Sequence, residues 1–166
     1  MIEKKQRNIL AAIIIILLLL LIGAVIFILQ SQQGNKPVLP TDDNAVSYDG
    51  QKDTYRLPNG QNGIAIPGLP ESLVFVSNQT EQKVNFYNPE GNDCLFLMTL
   101  YVDDNPYWQS GYIAAGQGYY NIELTEPISD GKYSAYLLIQ CFRDDGTALN
   151  SAKVETQIIV SEVESQ

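Results

Sequence analysis

A long apolar run stands near the start of the chain. From Ile9 to Leu29 every residue is apolar apart from the tolerated Gly23. At 1.5 Å rise per residue, a helix over this run spans roughly 30 Å, the thickness of bilayer hydrocarbon. Such a helix satisfies its own backbone hydrogen bonds, which lipid cannot do. The pattern predicts a transmembrane segment over 9–29. Residues 30–62 invert it: Gln, Gly, Pro, Asn and Asp dominate, and apolar positions are sparse. A stretch of that kind cannot bury enough surface to offset its ordering entropy, so it predicts a flexible linker. As a coil, its roughly 33 residues reach about 30 Å from the membrane.

From Gly63 onward, short apolar runs alternate with turn residues. The runs are GIAIPG, SLVFVS, KVNFYN, CLFLMTLYV, YWQSGYI, YYNIEL, KYSAYLLIQCF and KVETQIIVSE. Between them stand Pro89 with Gly91, Asp104 to Pro106, Gly116 with Gly118, Asp130 with Gly131, and Asp144 to Gly146, each a turn signal. No helical period appears after the first segment. Seven or eight strands in about 100 residues predict an antiparallel β-sandwich over 63–162, followed by a short tail at 163–166.

Strand facing follows from period two. Cys94 shares a face with Phe96, Met98, Leu100 and Val102. Cys141 shares one with Ile139, Leu137, Ala135 and Tyr133. Each is the more apolar face of its strand, so both thiols point into the core. If the two strands lie on opposing sheets, a disulfide across the core closes a loop of roughly 48 residues and contributes roughly 3–4 kcal/mol. The other reading is two small buried hydrophobes. The disulfide is preferred.

The apolar segment is too long for a cleaved signal peptide and lacks a small-x-small cleavage pattern after it. It reads as an uncleaved signal anchor. Lys4, Lys5 and Arg7 precede it, and the positive-inside bias holds residues 1–8 in the cytoplasm. The C-terminal domain is then extracytoplasmic, where oxidation of the cysteines is permissible.

Charge narrows the partners. The net charge is −9, from 10 basic and 19 acidic residues. Setting aside residues 1–8 leaves 7 basic and 18 acidic residues, a net of −11. So acidic a domain is a poor nucleic-acid binder, and no nucleic-acid partner is expected. There is no histidine at all, which removes the commonest general base and the commonest metal ligand.

The order Cys94, Trp108, Cys141 resembles that of immunoglobulin domains. The stretch LTEPISDGKYSAYLLI, with a Gly-x-Tyr after a tight turn, resembles the approach to a late strand in bacterial immunoglobulin-like and fibronectin-III-like modules. The likeness covers roughly 64–161. Ile139 stands where the family's tyrosine precedes the second cysteine, so the match is to the sandwich architecture and not to antibody-type domains. In layout the chain also resembles small membrane-anchored surface proteins of Gram-positive bacteria.

Candidate chemistry is thin. No G-x-S-x-G, S-x-x-K, P-loop or dinucleotide fingerprint occurs, so neither an enzyme nor a cofactor is expected. The carboxylate pairs Asp103–Asp104 and Asp144–Asp145 are weak metal candidates, because clustered oxygens suit a hard cation. Both pairs read more simply as turns. The N-Q-T at Asn78 likewise reads as a turn rather than a glycosylation site. Tyr101, Tyr107, Trp108, Tyr112, Tyr119 and Tyr120 crowd into a short stretch. Amphipathic rings of this kind form surfaces for proteins or glycans when exposed, and core filling when not. Tyr101, on the Leu95–Leu97–Thr99 face, is a better surface candidate than Trp108. The expectation is a single-pass, non-catalytic surface protein that binds another envelope or surface protein. Carbohydrate binding through the exposed rings is the alternative.

Overall fold

The computed structural model describes residues 17–26, 38–50 and 63–162, in two compact units that divide after Lys36. In the first unit, residues 17–26 form a helix whose side chains are all exposed. Among the described residues no helix is long and apolar enough to cross a membrane. The remainder of the predicted 9–29 span, the tail at 1–8 and the tail at 163–166 lie outside the described residues.

The second unit is mostly β. Its strands are β1 (Val46–Ser47), β2 (Ser72–Val76), β3 (Glu81–Tyr87), β4 (Leu95–Val102), β5 (Asn105–Ile113), β6 (Gln117–Glu123), β7 (Gly131–Phe142) and β8 (Ala148–Ser161). They form a three-stranded sheet, β1-β6-β3, and a five-stranded sheet, β2-β8-β7-β4-β5. All neighbours are antiparallel except β2 and β8, which run parallel. An all-antiparallel arrangement was expected. A hairpin dictates antiparallel pairing only between strands close in sequence, and β2 and β8 are the first and last long strands of the unit.

The chain crosses between sheets at β1→β2, β2→β3, β3→β4, β5→β6 and β6→β7. One core therefore draws on both layers: Phe75, Phe96, Met98, Leu100, Ile113, Leu137, Ile139 and Ile158 from the larger sheet, and Val84, Phe86, Tyr119 and Ile122 from the smaller. Trp108 on β5 joins the layers. Its ring lies 5.8 Å from Phe86 and meets Tyr119 edge-on at 5.1 Å. The buried Asn88 fixes the β3→β4 crossing. Its side-chain amide donates to the carbonyls of Cys94 at 2.8 Å and Ile113 at 2.9 Å.

Three expectations change. The segment GIAIPG is not a strand. Pro67 and Pro70 carry no N–H for a ladder, so Ile64, Ile66 and Leu69 pack on the core without a neighbouring strand. The Asn92 side chain stands in for one, accepting from Ala65 N at 2.8 Å and donating to Ala65 O at 2.9 Å.

The predicted linker is shorter than 30–62, because residues 38–50 join the β unit as a strap. Thr41 bridges Tyr112, β1 pairs with β6, and Ala45 and Tyr48 are buried. Aromatic stacking and two carboxylates supply what composition alone could not show. Residues 30–37 and 51–62 lie outside the described set.

The cysteines do not face each other across the core. β4 and β7 are neighbours in one sheet, and both thiols are free and buried. The turn expected at Asp103 and Asp104 is a two-residue hairpin turn with φ of 45° and 64°. Both angles are positive, as a type I′ turn requires, and Asp tolerates that region.

Candidate functional site

The outer face of the five-stranded sheet carries an aromatic ladder. Tyr101 on β4 sits directly opposite Tyr136 on β7, which sits opposite Glu155 on β8. Period two sends these side chains away from the core, because their neighbours Leu100, Val102, Ala135 and Leu137 point into it. The Tyr101 and Tyr136 rings stack at 4.7 Å with 12° between planes. Lys153 Nζ lies 4.1 Å from the Tyr136 ring centroid and 3.4 Å from Glu155 Oε1. Both tyrosines are half-buried. The ladder thus runs cation, ring, ring across three strands, with stacking and cation–π attraction each contributing about 1 kcal/mol.

An open cleft of about 610 Å³ lies beside Tyr136, lined by Glu71, Asp103, Asp104, Lys153 and Glu155. The hairpin turn supplies two of its carboxylates. Asp103 continues the β4–β7 pairing past the end of the strand: its N–H donates to Ser134 O at 2.8 Å, and its Oδ1 accepts from Ser134 N at 3.1 Å. The turn is therefore fixed to β7, and its acids sit at one end of the ladder. Four carboxylates against one ammonium give the cleft a negative field.

The six aromatic residues singled out in the sequence do not form one face. Tyr101 lies on the ladder. Tyr112 is on the same sheet but turns to Phe142, edge-on at 5.4 Å. Tyr107 packs at the core margin. Burial and the neighbouring Glu126 push its phenol above the usual value. Trp108 and Tyr119 are core residues, 8 % and 7 % exposed. Tyr120 faces the strap, where it stacks on Tyr48 at 5.2 Å and donates to Asp49. Tyr136 and Lys153 are the members that sequence reasoning missed. The alternation Ser134, Tyr136, Leu138, Gln140 on β7, opposite its apolar face, was the available signal.

The strap makes a second cleft, of about 400 Å³, with Asp42, Glu81, Trp108, Tyr119 and Glu123 in its walls. Asp42 is the pin. Its Oδ2 accepts from Gly111 N at 2.5 Å and from the Tyr119 hydroxyl, and its Oδ1 accepts from Asn44 N at 2.9 Å. Burial raises its pKa, but these donors outweigh burial and hold the carboxyl below 3.8. The same contact works in the other direction on Tyr119, whose phenol is pushed up by burial and by the adjacent carboxylate. On the other side of the strap, Tyr48 stacks face to face on Tyr87 at 4.2 Å.

The acidic pairs stay apart. Asp103 and Asp104 end the ladder, whereas Asp144 and Asp145 form the β7–β8 turn at the opposite end of the sheet, beside Asp93 and Arg143. Among the described residues no three Cys, Asp or Glu side chains converge as a metal site would require. No family model, curated protein or solved structure matches this chain.

Proposed function

We propose that the protein is a single-pass, membrane-anchored surface protein whose extracytoplasmic β domain is a non-catalytic protein-binding module. The apolar run Ile9–Leu29 and the basic residues before it support the anchor and its orientation. Two sheets that share one core around a tryptophan support an immunoglobulin-like sandwich, with the cysteine placement as its departure from that architecture.

The observation that carries the binding role is the Tyr101–Tyr136 stack, held half-exposed beside an open cleft. Stacked tyrosines offer rigid amphipathic area at low entropic cost, the kind of surface that anchors interfaces. The acidic rim favours a partner surface bearing Lys or Arg and rejects acidic ones. The partner is an envelope or surface protein.

The test uses the full chain in lipid nanodiscs, with a photo-crosslinking residue at position 136 and a control at Lys83 on β3. Incubation with solubilised envelope should give a discrete adduct at 136 that Tyr101→Ala weakens about tenfold and added salt weakens further. An identical pattern from position 83, or no adduct at 136, overturns the reading.

Glycan binding is the second reading, favoured by tyrosine rings beside a polar cleft. A glycan array probed with the same nanodiscs distinguishes the two: glycan signal lost in Tyr136→Ala, without a protein adduct, selects carbohydrate.

A further inference from the structure

The two cysteines are closer partners than their sequence separation suggests. Leu95 pairs with Phe142 and Phe96 pairs with Cys141. Cys94, one residue before Leu95, is therefore the diagonal neighbour of Cys141 on the adjacent antiparallel strand. Both side chains are on the core face, 3 % and 1 % exposed. Each thiol also perturbs the ionisation of the other, as near neighbours do. Two features hold them there. The Asn88 amide grips the Cys94 carbonyl. In the β7–β8 ladder the register shifts between Gln140 and Phe142, so Cys141 lies at a bulge that aims its side chain.

We propose that Cys94 and Cys141 form a disulfide within the five-stranded sheet, joining the start of β4 to the end of β7, and that it forms during folding rather than afterwards. The inference does not rest on the protein-binding role. The oxidant is a disulfide, R–S–S–R. One cysteine thiolate attacks it and displaces R–S⁻, giving a mixed disulfide. The second thiolate attacks the protein sulfur of that intermediate and displaces the other R–S⁻. The two protons end on the two R–SH products, so two thiols are oxidised and one disulfide is reduced.

The timing follows from burial. The nucleophile is the thiolate, and the oxidant must reach the sulfur. Once β4 and β7 have closed, both sulfurs lie in an apolar core shut off from solvent, and burial pushes the Cys141 thiol up to about 12. Exchange is therefore fast only while the sheet is open. The folded state then protects whichever redox form it enclosed, so the bond records the compartment in which the chain folded.

The full chain in detergent tests this directly. It is unfolded in guanidinium with reductant, then refolded with oxidised glutathione. In parallel, folded reduced chain meets the same glutathione for the same time. Both are quenched with iodoacetamide in denaturant and analysed by mass spectrometry. Refolded chain should carry no alkylated cysteine and yield a Cys94–Cys141 cross-linked peptide. Folded reduced chain should keep two alkylatable thiols. The oxidised form should melt higher by on the order of 10 °C, as expected for a loop of this length, and neither Cys94→Ser nor Cys141→Ser should show the gain. Two alkylatable thiols after oxidative refolding, or glutathione retained on both cysteines, overturns the disulfide. Equal oxidation of the folded chain overturns the timing.

Discussion

Asp42→Ala should free the strap without unfolding the sheets. The carboxylate serves three donors: Gly111 N, the Tyr119 hydroxyl and Asn44 N. The Asn44 bond is local and exposed, and contributes about 0.5 kcal/mol. The other two are charge-assisted and partly buried, at about 1.5 kcal/mol or more each. Tyr119 is 7 % exposed, so its hydroxyl loses its carboxylate partner where little water reaches. The sum is about 3.5 kcal/mol, an upper bound because the loss cannot exceed the free energy that docks the strap in the first place. Amide hydrogen exchange at Tyr48, whose N–H donates to Gly116 O at 2.9 Å, reads strap opening. The variant should exchange there roughly 100-fold faster, while amides in β4 and β7 keep their protection. Unchanged protection at Tyr48, or equal loss in β4, would refute the assignment of Asp42 as the pin.

Three further outcomes follow. Because the Asp42 carboxyl titrates below 3.8 in the folded chain, its contribution is complete above the unfolded pKa and is lost as pH falls through the lower folded value; Tyr48 exchange should accelerate over that acid window, and Asp42→Asn should remove the dependence. Gly118→Ala places a Cβ 2.4 Å from Phe86 O and 2.6 Å from Tyr87 Cβ, with backbone among the obstacles, and should cost roughly 2–3 kcal/mol in a urea titration of the full chain. Asn88→Ala strips a partner from the buried carbonyls of Cys94 and Ile113 and should lower stability by about 3 kcal/mol, read as a shift in urea midpoint at unchanged slope.

Much of the β unit was legible because its code is local. Alternation in CLFLMTLYV and KYSAYLLIQCF assigns every residue to a face, and Phe96, Met98, Leu100, Leu137 and Ile139 are buried accordingly. The Asp103–Asp104 turn was likewise readable, since two residues that tolerate positive φ stood between two strand patterns.

What the sequence could not determine was which strands meet. Facing is a property of one strand, whereas neighbours depend on how the whole chain closes around the core. That is why Cys94 and Cys141 could be placed inward from alternation but not located on one sheet. The same limit hid the Tyr101–Tyr136–Lys153 ladder, whose members come from three strands and are brought together only by register. Composition also misread residues 38–50. Their apolar content is low, but Tyr48 finds Tyr87, and Asp42 finds Tyr119 and Gly111. Ordering entropy is offset there by partners far along the chain, and only the folded tertiary structure supplies them.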